Sequence, residues 1–587
     1  MRENIPIKYK WKIEDIFPNQ KAFDNLYEET KNEIEFSSFK GRLGEEEIFK
    51  TFLEKEEVIS KKVEKLYVYA MLLRDTDTKD AKASELLSKA VMLLVKFNTE
   101  TSFVLPELTA LPEEVLKGYI ENPKFSNYDY NLKQILKKKP HVLSEESENI
   151  LALGGDVFGS FNEIFTKIDN ADLPLGEFTH NGKTYVLSHG EYSVNLQSSD
   201  RELREKSFKE YYKAYEKLIN TISSTYYGNV KKNVFLKNAR KYNSCLEMAL
   251  LDEDVDVKVY ENLISSVSDN LKFLHKYMDL KKKALKLDDL HFYDLYTPII
   301  ENQDFKLEYE EAYAFAMEGL KPLGEEYQSL LKKAFDERWI DVYETDGKRS
   351  GAYSTAIYDV HPYVLLNYKK TTHDIFTIVH ELGHSLHSYY SNKNQCYQKA
   401  DYKIFVAEVA STVNEVLLLK HILSTVSNKE LKKYVLSYFL EMIRTTLFRQ
   451  TQFAEFEYEA HKMVEEGQPL SKEVLSEKYL EITKKYYGEG LTYDKEISLE
   501  WSRIPHFYRA FYVYKYATGI TAAISIADRI LNEKNGLKDY FNFLSSGGSS
   551  DPVSLLRLAG IDLETKEPFI KAMKTFEDIL TELENLL

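Results

Sequence analysis

The sequence predicts a mainly α-helical protein with a small β-element, and three observations carry that prediction. Apolar residues recur at three- and four-residue spacing along most of the chain; glycine and proline are sparse, 23 and 14 in 587 residues; and strand-like content is confined to short stretches. At 68.5 kDa the chain can bury a large core, and with no long linker it reads as one continuous body.

Residues 1–170 read as helical, with 45–60, 62–74 and 81–107 each placing an apolar face opposite a charged one. Phe178 to Leu187 reads as a hairpin turning at Asn181-Gly182, a pair suited to positive φ. Helices resume at about 199 and run to about 287, and another covers Tyr309 to Leu320. Between Trp339 and Tyr368, Ile340-Asp341-Val342-Tyr343 and Gly351-Ala352-Tyr353-Ser354 have strand-like content. A β-hairpin there would present an edge that pairs with an extended peptide through the backbone alone, or would merely support the helix that follows. Tyr353 on that edge is a candidate substrate contact.

That following helix holds the most informative residues, His380-Glu381-Leu382-Gly383-His384. Histidines four apart share one helix face and can reach a single metal ion at Zn–N distances of roughly 2.0–2.1 Å. Glu381 is turned about 100° round the helix, placed to take a proton from a water rather than to ligate. With 13 histidines in the chain, chance matches number on the order of a few hundredths per chain. Ile375, Phe376, Ile378, Val379, Leu382 and Leu386 form an apolar stripe, so the helix is buried; Thr371 or Thr372 can cap it, with Asp374 in its first turn.

A catalytic zinc takes a third protein ligand and leaves one position for water. Glu408 and Glu415 lie on one face of an apolar helix from about Ile404 to Leu423, and either satisfies the spacing. Glu415 can instead orient a ligand histidine through its other ring nitrogen. His387 is expected in a supporting or core role, since a fourth protein ligand would take the water's place. Farther on, Tyr508, Tyr512 and Tyr516 repeat every four residues, as on one helix stripe. Hydrolysis of a carbonyl needs a donor for the oxyanion, and a tyrosine hydroxyl or a histidine can serve. Gly547-Gly548-Ser549-Ser550-Asp551-Pro552 lacks the lysine of a phosphate loop and reads as a helix cap. For Arg240 and Arg349 salt bridges are expected.

Net charge is −16 with no basic block, which argues against nucleic acid as partner. The start shows no apolar leader and no stretch of about 18 apolar residues occurs, so no membrane partner is expected. Two cysteines, Cys245 and Cys396, make no disulfide framework, and a cytoplasmic location is expected.

The motif His380 to His387, followed 24 residues after His384 by Glu408 in Phe-Val-Ala-Glu-Val-Ala-Ser, resembles the oligopeptidase F branch of the thimet-oligopeptidase-like zinc metallopeptidases. Asn238 to Ser244, Arg349 to Ser354, Phe448 to Ala454 and Ile504 to Tyr508 agree with it, and the resemblance runs from Lys10-Trp11 to Gly560-Ile561-Asp562. It implies a two-lobed, zincin-like helical fold with a deep central cleft, an N-terminal helical lobe over 1–198 and a catalytic domain over 199–587. It implies one Zn2+ per chain on His380, His384 and Glu408, with Glu381 as general base, and it alone prefers Glu408 to Glu415. His506 and Tyr512 are carried over as contacts of the transition state, and Tyr508 and Tyr516 as substrate contacts. Pro505 to Ala510 stands where the animal enzymes have a glycine-rich loop. The implied activity is endopeptidic cleavage of short, unstructured peptides. A carboxypeptidase on the same scaffold would need a cation for the substrate terminus, which the sequence does not single out; a structural metal would be expected to have four protein ligands.

Overall fold

The computed structural model describes residues 2–300 and 306–587. Helix accounts for 72% and strand for 3%, as the periodicity predicted. The chain folds into two compact units of three stretches each: Met1–Val142, Asp304–His421 and Ile526–Ile561 in the first, Leu143–Gln303, Ile422–Ser525 and Asp562–Leu587 in the second. Among the described residues no helix is long and apolar enough to cross a membrane.

In the first unit the helices expected over 45–60 and 62–74 are one, Glu46–Thr76. No glycine or proline interrupts it, and the buried series Phe49, Phe52, Ile59, Val63, Leu66 runs straight through. The partner helix Ala81–Thr101 starts at Asp80, whose side chain accepts from the Lys82 and Ala83 amides. It stops short of 107 because Pro106 cannot donate to the Ser102 carbonyl, and Val104–Ala110 restarts with that proline in its first turn.

The strands ahead of the metal-site motif form a mixed three-stranded sheet rather than a simple hairpin. Tyr363–Leu365 is central and buried, with Ile340–Asp341 parallel on one side and Tyr353–Thr355 antiparallel on the other. The buried Lys348 ammonium ties this region together, donating to the carbonyls of Asp341, Tyr343 and Leu366 and pairing with the Asp341 carboxylate at 2.8 Å. The helix Thr372–Asn394 follows, opened by a reciprocal capping box between Thr371 and Asp374. The Gly547 to Pro552 segment is a cap, as expected: Asp551 accepts from the Ser554 amide at 2.8 Å, with Pro552 at the first helical position.

In the second unit the hairpin pairs Glu177–His180 with Lys183–Val186, and Asn181 and Gly182 both have positive φ. The 39-residue helix Arg201–Ala239 is capped by Asp200. The interior holds an ionic network: Glu500, 2% exposed, accepts from Arg449 at 2.6 Å, Arg503 at 3.1 Å and the Tyr479 hydroxyl at 2.6 Å. Burial alone would raise the Glu500 pKa, but the two guanidiniums outweigh it and hold it at about 2.

Candidate metal centre

Two helices build the centre, with all of its residues in the first unit. Thr372–Asn394 carries His380, Glu381 and His384; Ile404–Thr425 carries Glu408 and Glu415. They cross at Gly383: a Cβ there would lie 2.5 Å from the Ser411 Cα and 2.7 Å from the Ala410 carbonyl oxygen, so only glycine permits this approach. One turn away, the Asn414 amide donates to the Val379 carbonyl at 2.9 Å, fixing the register of the crossing. The Ser385 hydroxyl bonds the Glu381 carbonyl and meets the Ser354 hydroxyl at 2.8 Å, which ties the edge strand to the same helix.

The crossing brings His380, His384 and Glu408 together, each with one donor atom within 4.8 Å of the others'. The Glu408 Oε2 lies 3.3 Å from the His380 Nε2 and 3.4 Å from the His384 Nε2. Glu415 hydrogen-bonds the His380 Nδ1 from the other side, which leaves the Nε2 lone pair for a metal. Burial disfavours an imidazolium at His380, yet the Glu408 and Glu415 carboxylates push its pKa up to about 10; burial would raise that of Glu408, yet the two histidines hold it well below the usual carboxylate range. The surroundings demand a cation here, a proton or a metal ion. Two imidazoles and one carboxylate form the donor set of a catalytic zinc site, so these residues fit that ion. Glu381 is 7% exposed, and its burial lifts its pKa against the pull of the neighbouring histidines. His387 joins no metal group among the described residues; it is stacked on Tyr402 at 3.8 Å between centroids, and burial lowers its pKa to about 3.

The other candidates are placed unequally. The Tyr353 hydroxyl donates to the buried Asp75 carboxylate at 2.9 Å, beside Arg349 at 3.0 Å. Arg240 pairs with Glu148 through both terminal nitrogens, so both arginines make the expected salt bridges. In the second unit the single helix stripe of tyrosines does not form. Pro505–Tyr508 is a 3-10 turn, Phe511 has φ of 52°, and the helix begins only at Tyr514. A residue in the left-handed region ends helical continuity, so the four-residue spacing loses its meaning. Tyr508 instead points inward, stacked on Phe165 at 4.4 Å, while His506, Tyr512 and Tyr516 gather. The His506 Nε2 is 3.4 Å from the Tyr516 hydroxyl, and the His506 and Tyr512 rings lie 6.1 Å apart, nearly parallel.

Sequence reasoning passed over Gly383, Asn414 and Asp75. A glycine in the interior of a helix, where it costs about 1 kcal/mol against alanine, was the available signal for the first; the other two carry none, being ordinary polar residues until the fold supplies their partners.

Comparison with known proteins identifies the family. The model of peptidase family M3 matches residues 194–575, and that described as oligopeptidase F matches 107–174. The chain is 40% identical to the oligopeptidase PepF of Bacillus subtilis (strain 168), over all of this chain and 88% of that protein. It is 39% identical to an oligoendopeptidase F homolog of Lactococcus lactis subsp. lactis (strain IL1403), over 100% and 98%. The crystal structure of oligoendopeptidase-F from Enterococcus faecium superposes with a TM-score of 0.74 at 35% identity, covering 97% of this chain and 99% of that one. A Chlamydophila abortus crystal structure reaches a TM-score of 0.95 at 38% identity, covering 100% and 99%. With a family match across most of its length and oligopeptidase F relatives aligned from end to end, the chain belongs to peptidase family M3, in its oligopeptidase F branch, and is a metalloendopeptidase.

Proposed function

We propose that this protein is a zinc-dependent oligoendopeptidase that cleaves internal bonds of short, unstructured peptides, with His380, His384 and Glu408 as ligands and Glu381 as general base. The observation that carries the reading is the convergence of those three donor groups beside a buried carboxyl. A zinc ion held there supplies Lewis acidity and lowers the pKa of water. Glu415 holds the His380 ring in the tautomer that offers Nε2. Glu381 takes the proton of the attacking water; its raised pKa suits it to hold that proton and pass it to the leaving amine. His506 and Tyr512 donate hydrogen bonds to the oxyanion, with Tyr516 supporting His506; the resemblance and their mutual packing within the second unit support this part. Tyr353 is placed as a substrate contact through its ring face, since its hydroxyl is committed to Asp75, and Tyr508 as an indirect one, through packing beneath the turn.

The division into an N-terminal part, 1–198, and a catalytic part, 199–587, belongs to the same proposal and is supported by the family match that begins at 194. So do a cytoplasmic location and the absence of nucleic-acid or membrane partners.

The test is mass spectrometry of a peptide of about ten residues blocked at both ends, incubated with the protein, with a chelator, and with zinc restored. Internal cleavage that the chelator abolishes and zinc restores supports the proposal. Cleavage that survives complete metal removal, or none of any short peptide by zinc-loaded protein, overturns it.

A further inference from the structure

Phe511 stands in the left-handed region, with φ of 52° and its side chain 2% exposed. This conformation is unfavourable for a bulky residue and persists only where its surroundings enforce it. The enforcement is visible. The Phe511 amide donates to the Glu457 Oε1 at 2.8 Å, and its ring packs against His461 at 4.6 Å and Tyr260 at 5.8 Å between centroids. Glu457 is fully buried on the helix Arg449–Glu465, and its second oxygen, Oε2, has no hydrogen-bond partner among the described residues. A carboxyl with no cation against it is expensive to bury. Its one hydrogen bond goes to the strained residue directly before Tyr512. On the two sides of Phe511 the exposed His506 and the half-buried Tyr512 come together, and the Arg509 guanidinium lies 4.0 Å from the centre of the Tyr512 ring.

We propose that Glu457 is a positioning residue for the reaction: its hydrogen bond to the Phe511 amide locks the left-handed turn that presents the adjacent Tyr512. The inference rests on the reading of Tyr512 as an oxyanion donor. Burial pushes the Glu457 pKa well up; glutamine keeps the length of the side chain and a carbonyl acceptor for the Phe511 amide.

The test is a mutant cycle on the full zinc-loaded protein, reading kcat and KM for one blocked peptide together with zinc content and melting temperature. Glu457→Gln is expected to stay within about threefold of the parent kcat. Glu457→Leu is expected to lower kcat by tenfold or more, with KM and zinc content little changed, and Tyr512→Phe to lower kcat comparably. The decisive variant is the double one. If Glu457 acts through Tyr512, Glu457→Leu/Tyr512→Phe is no slower than Tyr512→Phe alone. Multiplied losses would reveal a general structural role and overturn the proposal. Should the leucine variant fail to fold, Glu457→Asp, which withdraws the acceptor by one methylene, must show the same loss and the same non-additivity; a parental kcat overturns the proposal. An inactive Tyr512→Phe beside a fully active Glu457→Leu removes only this inference, whereas a fully active Tyr512→Phe removes the reading beneath it as well.

Discussion

The metal centre of the first unit and the aromatic turn of the second are built on different principles. The centre hangs on two regular helices. Helical period sets His380 above His384, and one close crossing of two regular helices at Gly383 supplies Glu408. The chain from Arg509 to Val513, between a 3-10 turn and the helix that begins at Tyr514, has no regular element to fix it. Its geometry depends on a left-handed Phe511 and on a buried carboxyl about fifty residues earlier in the chain. A site carried on regular helices depends on how closely they pack; a site placed by one strained residue depends on the contact that holds it.

Four measurements would sharpen or break that contrast. The largest effect is expected at the centre. Glu381→Gln should lower kcat by about 10²–10⁴-fold, the range for a general base, with zinc content unchanged; a parental kcat would remove Glu381 from the mechanism. In the second unit, Glu500 ties the segment entering the turn to Arg449 and Arg503. Its pKa is depressed from the ordinary 4.5 to about 2, so its contribution is fully present above pH 4.5 and is lost as pH falls towards 2. That contribution is on the order of 3 kcal/mol. Denaturant unfolding followed across that window should show a steeper loss for the parent than for Glu500→Gln; parallel curves would mean the pair contributes nothing.

Gly383→Ala tests the crossing. Alanine gains about 1 kcal/mol in helix propensity, but its methyl would fall within 2.5 Å of the Ser411 backbone, and overpacking of that kind costs about 1–3 kcal/mol. A lower melting temperature and weaker zinc retention are expected; a higher melting temperature would mean the helices are free to separate. The smallest effects distinguish the tyrosines. Tyr512→Phe should cost about tenfold or more in kcat through loss of an oxyanion donor. Tyr508→Phe removes a buried hydroxyl that has no partner among the described residues and should leave kcat within about twofold. Equal losses from both would erase the difference between the cluster of His506, Tyr512 and Tyr516 and the inward tyrosine.

Legibility followed the same line. Helical content, the Thr371 cap, the Asn181-Gly182 turn and the pairing of His380 with His384 were readable because each depends on neighbours a few residues away. Ahead of the metal-site helix the sequence predicts a small sheet or hairpin, but not its strand order. Its mixed order needs a parallel partner that local pattern does not specify, since Ile340–Asp341 and Tyr363–Leu365 pair across more than twenty residues. The tyrosine stripe misled because a four-residue spacing signals a shared face only while the backbone stays helical, and the single residue Phe511 breaks it.

By itself, then, the sequence determined the helical class and set His380 and His384 on one helix face with Glu381 beside them, because a 3.6-residue period converts spacing into direction. It also offered two acidic residues, Glu408 and Glu415, with equal claims by period. The resemblance favoured Glu408, and the tertiary structure supplies the physical difference. The crossing at Gly383 sets Glu408 against both Nε2 atoms and Glu415 against the His380 Nδ1. Separately, in the second unit, the left-handed Phe511 breaks the helix, Tyr508 packs inward on Phe165 and Tyr512 lies beside His506. Those outcomes depend on which surfaces approach within hydrogen-bonding distance, a property of packed helices that no single segment contains.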